Sequence, residues 1–212
     1  MNSSKTKAIL VNYNYTPDWL SAYDFDYLIY DRSDSKEYLK DFPQDRIIYT
    51  ENRGNVDFDK LSYLVDNYDN LPDVFLWSKS NIFKYITKEE FDKVKDNQVF
   101  TPLLTQGHRT YSDRNGIVCK YEGGMYYERN DSWYLNEVYS KYVQSFKDWA
   151  KMFQLPNPDY IPFAPGGSYI LTRDTVHKYS RDKYDEMRQT LPYAQLPGEA
   201  QCAERSYYML WR

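Results

Sequence analysis

In the first half of the chain, polar clusters repeatedly follow apolar runs. Asn12 and Tyr13 follow KAILV, Asp31 follows DYLIY, Asn52-Arg53-Gly54-Asn55 follow RIIYT, and Ser78-Lys79-Ser80-Asn81 follow DVFLW. These residue types suit a polar, phosphate-bearing ligand. Arg53 offers a planar guanidinium and Lys79 a point charge, and both pair with phosphate. The amides, hydroxyls, Asp31 and the Tyr13 ring can bond or stack on the rest of such a ligand. Each cluster also has a plainer reading, as a solvated strand end, an ordinary tyrosine, a turn aspartate or a surface arginine. Other motifs are missing. There is no GxGxxG after the first apolar run, no GxxxxGK[ST] and no GxSxG, so a dinucleotide fingerprint, a P-loop and a hydrolase elbow are all disfavoured. Two histidines, His108 and His177, are too few for a histidine-rich metal site.

The apolar runs would position those clusters. Residues 7–13, 26–31, 46–50 and 73–77 read as buried strands. Phe58, Leu61, Leu64, Val65 and Tyr68 recur at helical spacing, with Asn55 or Asp57 as cap and Leu71-Pro72 as stop. Strand, connection, strand, then a helix before the fourth strand predicts an α/β fold with a mostly parallel sheet flanked by helices. In such a sheet the carboxyl ends of the strands lie side by side and form the ligand crevice.

The second half reads as more mixed. Thr87 and Glu90 make a capping box. The polar, Gly-containing stretch 105–131 reads as loops and short hairpins and as the mobile or substrate-facing region. Residues 132–153 read as one long helix. Its apolar stripe is Leu135, Val138, Tyr139, Tyr142, Val143, Phe146, Trp149, Ala150 and Phe153. A Gly166-Gly167 turn leads to a strand over residues 168–172, and Pro197-Gly198 opens a last helix.

Composition sets outer bounds. The 212 residues fit one domain with a sizeable core. The net charge of −4, with 27 basic and 31 acidic residues intermixed, argues against a nucleic-acid partner. No segment is long and apolar enough for a signal peptide or a membrane span. The two cysteines, Cys119 and Cys202, read as free thiols of a reducing, cytoplasmic compartment. Twenty-four tyrosines suit stacking on bases and sugar rings but also serve as strand residues. The chain ends on Leu210-Trp211 without a polar tail, which leaves open that it is the N-terminal domain of a longer protein.

Four blocks, VNYNYTPDWL, NRGNVDFDKLSYLVDNYDNLPDVFLWSKSN, PGGSYILTRD and PGEAQCAERSYYMLW, resemble in that order the blocks of small GT-A-type glycosyltransferases. The resemblance is to the compact glycosyltransferase domains encoded by chlorella viruses. It implies one domain over residues 1–212, with a nucleotide-sugar-binding half (1–81) and an acceptor-side half (82–212). It also implies a UDP-sugar donor, Mn2+ or Mg2+, a saccharide or glycoprotein acceptor, and transfer of a hexose or deoxyhexose in building a glycan, with inversion favoured. On this likeness Asn12, Tyr13, Asp31, Arg53, Asp57, Ser78, Lys79 and Ser80 would bind the donor. Where the family carries Asp-x-Asp for its metal, this chain has Ser78-Lys79-Ser80. Hydroxyls are weak ligands for a hard cation. A metal at Ser78 and Ser80 would therefore be held largely through the diphosphate and waters, or be replaced by basic groups.

The family often places its general base at the start of a late helix, which nominates Glu199, with Glu204 as the second candidate. Glu199 can also be a favourable helix-start charge, and Glu204 a structural partner of Arg205. Two other readings stay open. One is a non-catalytic nucleotide-sugar or carbohydrate-binding module, for which the two serines speak. The other is a nucleotidyltransferase, against which the lack of a Gly-rich loop near the first strand speaks.

Overall fold

The computed structural model describes residues 6–105 and 110–212. In chain order the elements are β1 (Lys7–Asn12), β2 (Asp26–Asp31), β3 (Ile47–Tyr49), α1 (Asn55–Asp66), β4 (Val74–Lys79), α2 (Lys88–Val94), β5 (Thr101–Pro102), β6 (Tyr111–Asp113), β7 (Gly116–Glu122) and β8 (Met125–Arg129). They continue with α3 (Phe146–Met152), β9 (Tyr160–Phe163), β10 (Tyr169–Thr172), α4 (Arg173–Val176), α5 (Arg181–Gln189) and α6 (Gly198–Trp211). The main sheet has six strands in the order β3-β2-β1-β4-β10-β5. Strands β1 to β4 run parallel, while β10 is antiparallel to both β4 and β5. The sheet is therefore mixed, not purely parallel. A second sheet, β6-β7-β8-β9, is antiparallel throughout.

Strand β1 lies centrally because it is apolar on both faces. Ile9 and Val11 meet the core that holds Leu61, Leu64 and the α6 residues Tyr207 and Trp211. Ala8 and Leu10 meet the opposite core, with Phe91 and Leu103. Two-sided burial is what a continuous apolar run predicts for a strand covered on both faces. The capping box at Thr87 and Glu90 forms as expected, and both cysteines are buried and form no disulfide.

Several expectations are corrected. Strand β4 runs two residues past Trp77, so Ser78 and Lys79 belong to the strand rather than to the loop beyond it. Helix α1 is capped neither by Asn55 nor by Asp57. Its N-cap is Gly54, in the left-handed conformation at φ 70°, and a Cβ there would come within 2.6 Å of the Phe58 Cβ. The long helix over 132–153 does not form. Residues Trp133–Glu137 make a 3-10 turn, and α3 begins only at Phe146, capped by Ser145. Tyr139 (70% exposed) and Tyr142 (45%) leave the expected stripe. The Ser140 hydroxyl and Tyr142 amide instead donate to Glu199. A stretch rich in Tyr, Val and Ser has weak helix propensity, and these tertiary bonds decide its path. Residues 105–131 do contain hairpins, and β6, β7 and β8 form most of the second sheet. His108 lies outside the described residues.

Candidate functional site

A crevice of about 320 Å³ opens at the carboxyl ends of β1 and β4. From β1 the chain moves to β2 on one side, while β4 pairs with β1 on the other. That is a topological switch point, where open α/β sheets leave a gap for ligands. The walls are Asn12 at the end of β1 with Tyr13 and Tyr15 after it, Arg32 after β2, Asn52 before α1 and Asn55 and Val56 in its first turn, Lys79 at the end of β4 with Ser80 and Asn81 after it, and Tyr85, Gln195 and Leu196. Arg32 and Lys79 are the only charged residues among these walls.

The walls hold unspent bonding capacity. Asn12 Oδ1, Arg32 Nη1, Ser80 Oγ and Asn81 Oδ1 are buried and have no hydrogen-bond partner within the protein. Such atoms in a folded protein call for a ligand or an ordered water. Arg32 is 2% exposed. Its Nη2 donates to the backbone oxygens of Glu51 (3.3 Å) and Arg53. Its Nε stands 3.6 Å from Asp59. Burial works against the Arg32 charge and lowers its pKa, with Asp59 and Asp57 opposing.

Lys79 is positioned by a buried set of charges beneath the crevice. Its Nζ lies 3.3 Å from Glu204 and 5.2 Å from the Tyr85 ring centre. Burial opposes the ammonium, but Glu204, Tyr85 and Asp57 outweigh it and hold its pKa well above the usual lysine range. Burial would likewise raise the Glu204 carboxyl, yet Lys79, Arg205 and Lys60 hold it below its usual range. Glu204 also accepts from the Gly166 amide at 3.1 Å. Deeper, Lys60 donates to the Gly167 carbonyl at 2.5 Å, and burial pushes its pKa down to about 7. Burial, followed by the Glu204 charge, pushes Asp57 up to about 6. Tyr207 donates to Asp57 at 2.9 Å.

The structure brings some of the expected site residues together and sets others apart. Asn12, Tyr13, Lys79 and Ser80 line the crevice. Asp31 sits behind it, accepting from Asn12 at 3.1 Å and from Ser33 at 2.6 Å. Asp57 lies under Asn55. Ser78 is buried against Ser168 at 2.8 Å. Arg53 points to solvent and pairs with Glu51 at 2.7 Å, with 61% of its side chain exposed. Glu199 is fully buried, and its two oxygens take bonds from Ser140, the Tyr142 amide and Tyr193. Neither Glu199 nor Glu204 lines the crevice. Arg32 was missed by the sequence reading. Its only signal was a cation directly after a strand-ending aspartate.

The donor set does not fit a divalent cation held by side chains. Ser78 is turned away, the nearby carboxylate Glu204 is paired with Lys79, and the free oxygens left are neutral, the Ser80 hydroxyl and the Asn12 and Asn81 amides, beside two cations. Among the described residues no group of three or more His, Cys, Asp or Glu could hold a metal.

A family described as protein of unknown function (DUF3431) matches residues 13–212. The chain belongs to the DUF3431 family. The match covers every crevice residue except Val11 and Asn12, which end β1 just before it begins. Neither the curated proteins nor the solved structures gave a match. Among the described residues no helix is long and apolar enough to cross a membrane.

Proposed function

We propose that this DUF3431 protein is a glycosyltransferase of GT-A type whose crevice binds a nucleoside diphosphate-sugar, with UDP as the nucleotide part. One observation carries the reading. Buried polar atoms without partners surround a small cavity whose charged walls, among the described residues, are two cations. A diphosphate would face Arg32, Lys79 and the first turn of α1, where the Val56 and Asp57 amides have no carbonyl one turn back to bond. Tyr13, 47% exposed at the mouth, offers a flat face for the base. Asn12, Ser80 and Asn81 would bond the ribose and the sugar. The acceptor would be a saccharide or a glycoprotein glycan.

Transfer of the sugar to an acceptor hydroxyl needs a proton acceptor. A base must reach the acceptor hydroxyl directly or through one water. Glu204 is bonded to the crevice residue Lys79, but its lowered pKa makes it a poor base. Glu199 is spent on three donors. That no carboxylate lines the crevice among the described residues favours, as a second reading, a module that binds nucleotide sugars without turning them over. Thermal-shift screening with nucleotide sugars, joined to an assay for released nucleoside diphosphate, separates the two. Binding with release supports the enzyme, and binding without release in the presence of saccharide acceptors supports the module. No shift with any nucleoside diphosphate or nucleotide sugar would sink both.

A further inference from the structure

We propose that Arg32 and Lys79 supply the positive charge that the crevice offers to a diphosphate, so that binding needs no divalent cation. This rests on the nucleotide-sugar reading above. The two cations share one arrangement. Each reaches the crevice from a nearly closed position and has a carboxylate near it that does not line the cavity: Asp59 3.6 Å from Arg32, and Glu204 3.3 Å from Lys79. The positive end of each pair faces the cavity.

The arrangement holds the cations charged and in place before any ligand arrives. Glu204 is itself fixed by the Gly166 amide, so the Lys79 ammonium is held in one region of the wall. The Tyr85 ring flanks it. Gly166 must be glycine for that ring to fit. Its φ is +87°, and a Cβ there would lie 2.7 Å from Tyr85 ring atoms. On the other wall, Arg32 Nη2 is anchored to two carbonyls while Nη1 is left without a partner. A guanidinium with one free amino group beside a cavity is suited to a phosphate oxygen. A divalent cation, by contrast, would find no carboxylate among the described wall residues, only the Ser80 hydroxyl and the Asn12 and Asn81 amide oxygens, with two ammonium or guanidinium charges repelling it. Glu204 is on this account a positioning residue for Lys79.

Calorimetry on the full chain tests the inference with UDP and with inorganic pyrophosphate, in EDTA and in manganese. UDP is expected to bind in EDTA, with nearly the same affinity when manganese replaces EDTA. The double variant Lys79→Met/Glu204→Gln removes one charge of each sign and so leaves no buried charge newly unpaired. It is expected to weaken UDP and pyrophosphate alike by roughly 10- to 100-fold, and to flatten the salt dependence of binding. Lys79→Arg is expected to restore most of the affinity, which a purely structural role would not predict. Binding of UDP only when manganese or magnesium is present would overturn the inference and leave the nucleotide-sugar reading standing. Metal-independent binding untouched by the double variant would overturn the role of Lys79. The comparison of EDTA with manganese uses the unaltered protein, so a variant that fails to fold does not block the test. If no nucleoside diphosphate or nucleotide sugar binds under either condition, the nucleotide-sugar reading falls and this inference falls with it.

Discussion

The crevice at β1 and β4 and the larger cavity over the second sheet differ in what their polar groups have left to bond. The second cavity, about 610 Å³, is lined by Tyr111, Asp113, Val118, Cys119, Tyr126, Glu128, Arg129, Asp131, Trp133 and Pro165. It is nearly twice the size of the crevice. Yet Arg129 donates to Asp113 and to Asp131, and Glu128 takes two bonds from Arg205, at 2.6 and 3.2 Å. The Arg205 guanidinium also covers the Tyr134 ring at 3.6 Å. In the smaller crevice four buried polar atoms have no partner. Volume favours the second cavity; unspent hydrogen-bonding capacity beside two cations whose carboxylate partners do not line the wall is why the ligand is proposed for the crevice.

The largest expected effect strikes the second cavity. Arg205→Met leaves Glu128 buried without its partner, at 4% exposure. Breaking one side of a buried pair typically costs about 3–5 kcal/mol. Urea unfolding should show a loss of that order, while UDP affinity, measured below the new midpoint, stays unchanged. A matching loss of UDP affinity would break the distinction between the two cavities.

Next comes a pH effect from the crevice side. Burial, partly offset by Arg32, raises the Asp59 pKa from its ordinary 3.8 to about 6. Between those values the folded protein holds a proton on Asp59 that the unfolded chain has released. The contribution of this group to stability is therefore present below about pH 4 and falls as pH rises through about 6. The linkage is at most about 3 kcal/mol across the window. Asp59→Asn should flatten the pH dependence of the urea midpoint between pH 4 and 6. An unaltered slope would mean that Asp59 is ionised throughout, as a plain partner of Arg32.

Gly166→Ala should cost about 1–3 kcal/mol, because a side chain at positive φ is strained and its Cβ would meet Tyr85. Since Tyr85 lines the crevice, the same change should weaken UDP binding, whereas Arg205→Met should not. The smallest effect belongs to the rim of the second cavity. Arg129→Gln removes an ion-pair cluster with Asp113 and Asp131 that lies close to solvent. Such pairs contribute little, so the melting temperature and UDP binding should both stay within measurement error. A clear loss of UDP binding there would move the ligand site to the second sheet.

The sequence alone determined the strands that carry the crevice. The runs ending at Asn12 and Asp31 are apolar on both sides, and only a strand inside a covered sheet satisfies such a pattern. Local signals also placed α2 after the Thr87 cap and the start of α6 at Pro197-Gly198. The helix expected over 132–153 failed in its first half, where Tyr139 and Tyr142 supplied two of the five stripe positions before Phe146. A tyrosine can face solvent as readily as core, and buried Glu199 drew that segment into a loop instead. Strand β9 and helix α5 gave no signal that the reading caught. In the site, Asn12, Tyr13, Lys79 and Ser80 were legible as polar residues at strand ends. Which of their neighbours face the cavity was not. Ser78 and Ser80 are two residues apart, yet one bonds Ser168 in the interior and the other keeps a free hydroxyl at the crevice. Glu199 and Glu204 share one helix, yet one binds a loop and the other holds Lys79. Those assignments depend on what the β10 strand, the Gly166-Gly167 turn and residues 139–142 bring against each side chain. Such contacts join residues far apart in the chain, so local pattern does not encode them and only the tertiary structure decides them.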